Sequence, residues 1–176
     1  MQNIEIKARY SDLEAAERIA QAVGARFETT LAQIDTYFRV PQGRLKLREI
    51  NQPEHQLIYY ERADAAAARL SRYEIYPVTD VEQLKFMLSS ALGVWKVVEK
   101  QRELYWFEEV RIHLDRVKHL GNFLELEGVI NQATSTVSTR KKVDWLMQQF
   151  KISGADLIEG SYSDLLPEIP EKKGAT

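Results

Sequence analysis

Charged side chains spaced two residues apart recur along this chain, with an apolar residue between each pair. Asn3, Glu5, Lys7 and Arg9 interleave with Ile4, Ile6 and Ala8, and Arg44, Lys46 and Arg48 with Leu45 and Leu47. Lys100 and Arg102 follow Val98; Arg111, His113 and Asp115 enclose Ile112 and Leu114; Glu125 and Glu127 alternate with Leu124 and Leu126. A strand sends alternate residues to opposite faces, so each run has an apolar face to bury and a face dense in both signs of charge. Two arrangements accommodate this. The apolar faces can meet in a sandwich core and leave the charges in water. Alternatively the sheet closes into a barrel, charges inward, with helices over the apolar outside. Such a lumen cannot stay dry and empty, because buried unpaired charge costs several kcal/mol per group. It needs water, metal ions and a polyanion.

The elements that position these runs follow in chain order. After the first strand, Ser11-Asp12-Leu13-Glu14 has the form of a capping box, and Leu13, Ala16, Ile19, Ala20 and Val23 recur at helical spacing up to Gly24. Residues 25–40 read as strand, most clearly over 34–40, and Pro41-Gln42-Gly43 turns the chain into a strand at Arg44–Ile50. Residues 57–62 form the next strand, with Ile58, Tyr60 and Arg62 on one side, and 63–68 reads as a connecting loop or short helix. The order then repeats: a strand over 71–77 carrying Arg72 and Glu74, a helix opened by Thr79-Asp80-Val81-Glu82 and stopped by Gly93, then strands at Val94–Phe107, Val110–Val117 and 122–130. Two halves of this kind can pair edge to edge about a pseudo-twofold axis and leave no free edge. A third helix is predicted over 138–150, with Arg140-Lys141-Lys142 on a solvated face. Residues 160–166 read as a closing segment docked through its leucines, and a flexible tail is expected from Pro167.

At 176 residues the chain suits one domain with a substantial core. Its 24 basic and 26 acidic residues nearly cancel, which argues against a nonspecific nucleic-acid binder. The absence of cysteine excludes a disulfide framework and a thiolate metal site. No apolar run approaches the ~20 residues needed to span a bilayer, and no signal-peptide pattern opens the chain, so the expectation is a cytoplasmic protein without a membrane or nucleic-acid partner.

Taken together, several segments resemble the CYTH family, the triphosphate tunnel metalloenzymes, and most of all its bacterial class IV adenylate cyclases. They are Asn3-Ile4-Glu5-Ile6-Lys7-Ala8-Arg9, Asp35-Thr36-Tyr37-Phe38, Gly43-Arg44-Leu45-Lys46-Leu47-Arg48-Glu49, Tyr59-Tyr60-Glu61-Arg62, Arg111-Ile112-His113-Leu114-Asp115, Phe123-Leu124-Glu125-Leu126-Glu127 and Ser161-Tyr162-Ser163-Asp164-Leu165-Leu166. The resemblance implies an α+β fold: a closed eight-stranded antiparallel β-barrel, the triphosphate tunnel, built from two similar halves with helices packed outside. One domain would span residues 1–166, with 167–176 as the tail. The family's opening motif, Glu-x-Glu-x-Lys, reads Asn3-x-Glu5-x-Lys7 here. Asn offers Mg2+ a carbonyl oxygen but no charge, so one metal should be held less tightly than by a full set of carboxylates.

The resemblance further implies roles for single residues. Glu5, Asp115, Glu125 and Glu127 would bind Mg2+ or Mn2+ through hard oxygens. Lys7, Arg102 and His113 would be catalytic, and Arg9, Lys46, Arg48, Arg62, Arg72, Lys100 and Arg111 would clamp phosphate oxygens. Glu74 would either bind a metal or, the favoured reading, hold Arg72 in place as an ion pair, while Tyr60 and Tyr162 would border the tunnel mouth, pack a base or belong to the core. The ligand would be a small molecule bearing a triphosphate, ATP or tripolyphosphate, and relatives of this type pair into homodimers. The implied reaction is cyclisation of ATP to cyclic AMP and pyrophosphate; the alternatives are hydrolysis of inorganic or nucleoside triphosphate, and noncatalytic polyphosphate or nucleotide binding.

Overall fold

The alternating runs form eight strands, and helices fill the intervals: β1 (Gln2–Arg9), α1 (Leu13–Ala22), β2 (Arg26–Phe38), β3 (Arg44–Ile50), β4 (His55–Glu61), β5 (Arg69–Val78), α2 (Val81–Leu92), β6 (Val94–Phe107), β7 (Val110–Val117), β8 (Gly121–Ile130), α3 (Thr136–Gln149) and α4 (Tyr162–Leu165). The structure is a computed structural model that describes residues 2–51, 55–61, 69–130 and 135–170. Arg62 and the stretch 63–68 lie outside the described residues. Each half runs strand, helix, three strands, as the sequence predicts. The helices start one residue later than their capping-box sequences suggest. Asp12 accepts from the Ala15 N–H at 2.8 Å and Asp80 from the Gln83 N–H at 3.0 Å. A carboxylate both caps the first turn and meets the positive end of the helix dipole, so it displaces the neighbouring hydroxyl.

Every strand pairing is antiparallel, and the sheet curls in the order β1-β5-β4-β3-β2-β6-β7-β8, with β1 paired to β8 as well as to β5. The first strand of each half crosses to the last strand of the other half, β1 to β8 and β5 to β4, as a pseudo-twofold arrangement requires. The β1–β8 register runs from Gln2 to Arg9, whereas the β1–β5 register runs only from Gln2 to Glu5. Past Glu5 the edge of β1 is taken by residues 156–158: Arg9 N–H donates to the Asp156 carbonyl and Ile158 N–H to the Lys7 carbonyl, both at 2.9 Å. The curl is thus completed partly by a non-strand segment.

The apolar faces point outward under helices. Ile4, Ile6, Tyr105, Ile112, Leu114, Leu124 and Leu126 are buried with Leu13, Ala16 and Ala20 of α1 and Val143, Leu146 and Phe150 from α3 and its end. Phe38, Leu47 and Val78 are covered by the leucines of α2. α3 lies so close to β8 at Gly128 that a Cβ there would meet Thr139 and Val143. The charged faces are therefore inside the curl. At one end of that interior Tyr37, Ile58, Tyr60, Val98, Val117, Phe123 and Tyr162 form a second buried cluster.

Candidate functional site

Strand register brings the inward charges into contact. Lys7 is registered opposite Glu125, Arg102 opposite Asp115, Arg111 opposite Glu127, and His113 opposite Glu125. Directly opposed side chains on one face are neighbours, and the first three of these pairs join opposite charges. Lys7 Nζ lies 2.6 Å from Glu125 Oε2. Arg102 donates two bonds of 2.6 Å to Asp115 and a third of 2.8 Å to Glu125. Arg111 reaches Glu127 at 3.2 Å, and the Asn3 amide also donates to Glu127. Lys100 stands 3.7 Å from Asp115, whose Oδ2 accepts from the Tyr162 hydroxyl at 2.8 Å. His113 lies between two carboxylates, Nδ1 4.0 Å from Glu125 and Nε2 3.9 Å from Glu127.

A second cluster faces the first from β2 and β3. Asp35 takes both nitrogens of an Arg48 fork at 2.7 and 2.8 Å and the Lys46 ammonium at 3.0 Å. Lys46 also sits over the rings of Tyr37 and Tyr60. Asp35 is 2% exposed and is the inner-face charge that reading by charge alternation misses, because it is a single acid over 34–40. A signal was available: counting outward from the Pro41-Gln42-Gly43 turn pairs Phe38 with Leu45 and hence Asp35 with Arg48.

Burial works against the charged forms of Asp35, Asp115 and Glu125, and there the partners decide the outcome. Burial alone would raise Asp35, Asp115 and Glu125, but Arg48 and Lys46, Arg102 and Lys100, and Lys7 and Arg102 respectively hold them below the ordinary carboxylate range. Burial and then Arg102 push His113 well below its usual value, so the imidazole is neutral near pH 7. Lys100 is pushed down to about 7 by burial and then by Arg102. Tyr162 is pushed up by burial and by Asp115, which keeps its hydroxyl a donor.

Lys7, Lys46, Arg48, Lys100, Arg102, Arg111, His113, Glu5, Asp115, Glu125 and Glu127 all hold inner-face registers. Others expected beside them do not join. Arg9 is exposed at the strand end, its guanidinium 5.3 Å over the Phe123 ring. Arg72 is registered opposite Gln2 on β1 and Glu61 on β4. Glu74, registered opposite Tyr59, is exposed.

The four carboxylates expected to bind a divalent cation have different neighbours. Asp115 gives both oxygens to Arg102, and Glu125 Oε2 is shared by Lys7 and Arg102. Both carboxylates thus anchor cations in this structure. Glu5 is registered directly opposite Glu127, with Asn3 next on the same face. Asn3 Oδ1 is buried without a hydrogen-bond partner. Among the described residues no three Asp, Glu or His groups are placed to hold a metal by themselves. Two carboxylates and an orphaned carbonyl oxygen nevertheless suit Mg2+ or Mn2+, which take one or two protein carboxylates and complete their shell with water and phosphate oxygens.

The CYTH domain profile matches residues 1–162 of this chain. The chain is 25% identical over 175 residues to a Methanocaldococcus jannaschii protein named "Putative adenylate cyclase MJ0240", covering 94% of this chain and 98% of that one. It is similar to the structure of the PH1012 protein from Pyrococcus horikoshii OT3, with a TM-score of 0.82 at 25% identity over 94% of this chain and 99% of the other. A Vibrio parahaemolyticus structure, also named as an adenylate cyclase of that kind, gives 0.76 at 24% identity, covering 93% and 96%. No described helix is long and apolar enough to cross a membrane.

Proposed function

The chain belongs to the CYTH domain family, the triphosphate tunnel metalloenzymes, and from that premise we propose that it is a metal-dependent enzyme whose curled sheet works as a closed tunnel for ATP, converting it to cyclic AMP and pyrophosphate. One observation carries the reading. Five cations, Lys7, Lys46, Arg48, Lys100 and Arg102, crowd a single interior on three carboxylate anchors, Asp35, Asp115 and Glu125. The anchors hold these groups in place ahead of any ligand, where their remaining N–H donors can take up the oxygens of a polyanion. The choice of cyclisation comes from the name of the Methanocaldococcus jannaschii relative. Trp106, on the inner register near Arg111 with that guanidinium 5.0 Å over its ring, offers a planar surface for a base.

In this scheme Lys46 and Arg48 bind one end of the triphosphate, and Lys7 and Arg102 bind the opposite wall of oxygens. A divalent metal held by Asn3, Glu5 and Glu127 would neutralise phosphate charge. The ribose 3′-oxygen bonds to the α-phosphorus, the bond from that phosphorus to pyrophosphate breaks, and the hydroxyl proton passes to His113, whose neutral Nδ1 is buried without a partner. A second reading, hydrolysis, is favoured by the depth of that same imidazole: at 3% exposure it is more easily reached by water than by a ribose. Incubation of the protein with ATP or tripolyphosphate, with and without Mn2+, separates the two. Cyclic AMP with pyrophosphate is the expected result, orthophosphate selects hydrolysis, and binding without turnover in either condition refutes both.

A further inference from the structure

The C-terminal segment crosses one end of the curled sheet from side to side. Residues 156–158 line β1, and at the far side Ile169 N–H donates to the Trp95 carbonyl at 3.0 Å, while Arg39 donates to the Ile169 carbonyl at 2.7 Å. Between these anchors Arg44 holds the segment through Ser161, Ser163 and Asp164 at 3.2, 3.1 and 2.7 Å. From the middle of the span Tyr162 projects inward. Its ring lies 4.9 Å from Phe123, 4.4 Å from the Lys7 ammonium and 5.1 Å from that of Lys100. Tyr162 is 4% exposed and Ser163 fully buried. Exposure rises away from this floor: the Lys100 side chain is 4% exposed, Glu127 13% and Arg111 34%.

We infer that a triphosphate reaches the charged interior only from the Arg111 end and stops against Tyr162, so the site selects a chain with a free terminal phosphate and rejects one esterified at both ends. The argument rests on reading the interior as a triphosphate site. A second organic group has no exit past a floor tied to β1 on one side and β6 on the other, whereas a terminal phosphate arriving there meets the side-chain nitrogens of Lys7 and Lys100 in place. A fixed wall discriminates by clashing with the competitor, independently of the contacts made to the favoured ligand.

Calorimetric titration of the full chain with four probes tests this: tripolyphosphate, ATP, ADP and diadenosine triphosphate. ADP carries the same charge as diadenosine triphosphate when fully ionised, so comparing those two removes the electrostatic difference. Tripolyphosphate, ATP and ADP are expected to bind, with diadenosine triphosphate about tenfold or more weaker than ADP despite its extra phosphate. Diadenosine triphosphate binding as tightly as ADP would overturn the one-ended interior and leave the triphosphate reading standing. If neither tripolyphosphate nor ATP binds, both fall together.

Discussion

Asp35 serves the β2–β3 wall as Asp115 serves β6: one buried carboxylate fixes an arginine fork and faces a lysine. Replacing it by asparagine leaves Arg48 and Lys46 close together without a counter-charge, which by the usual cost of breaking a buried ion pair removes about 3–5 kcal/mol of stability. If phosphate oxygens take the place of the lost carboxylate, much of that loss should return with saturating tripolyphosphate. Asp35→Asn is therefore expected to melt well below the parent alone and to show the larger ligand-induced rise. A rise no larger than the parent's would mean that the phosphates do not reach Arg48 and Lys46. The inner-face sets on β1, β3, β6, β7 and β8 were legible in the sequence because strict alternation fixes the face. The register of β5 was not, since its pairing with β1 joins residues remote in sequence. The anchoring roles of Asp115 and Glu125 depend likewise on which cation stands opposite, a matter of register that composition does not reveal.

Helices hold the apolar side of these strands, and the contact of α3 with β8 is the tightest point. The backbone at Gly128 admits no side chain, because a Cβ would run into Thr139 and Val143 of α3, both fully buried. Gly128→Ala forces α3 away from the sheet over Glu127, which neighbours it on the strand. Overpacking of this kind costs roughly 1–3 kcal/mol, to be read from the urea midpoint at unchanged slope. An unchanged midpoint would show that α3 yields without cost. Strand and helix positions could be read from hydrophobic period and caps, and β3, β6 and β7 carry the predicted bounds. The C-terminal segment departs from expectation. Its leucines do pack, half-buried, against the cluster around Tyr162, but the buried anchors are Tyr162, Ser161 and Ser163, and Glu168 and Ile169, expected in a flexible tail, are tied to Arg39. Short polar sequences give no periodicity from which docking could be inferred.

Across the whole molecule, an interior that gathers cations ahead of its ligand must store their repulsion somewhere, and Lys100 is where it is relieved. Burial and then Arg102 lower its pKa to about 7, against an unfolded value near 10.4. Between those values the unfolded chain holds a proton that the folded chain lacks. This group's penalty on stability is thus fully present below about pH 7 and is relieved as pH rises toward 10.4. A bound triphosphate reverses the balance, because negative charge beside the ammonium raises its pKa, so binding near pH 8 should draw a proton from solution. Calorimetry in two buffers of different ionisation enthalpy measures that uptake. The parent is expected to take up a fraction of a proton on binding tripolyphosphate, and Lys100→Met distinctly less. Titration of the phosphate itself contributes equally to both proteins and cancels in the comparison. Equal uptake would place the proton elsewhere and remove Lys100 from the groups that answer the ligand's charge.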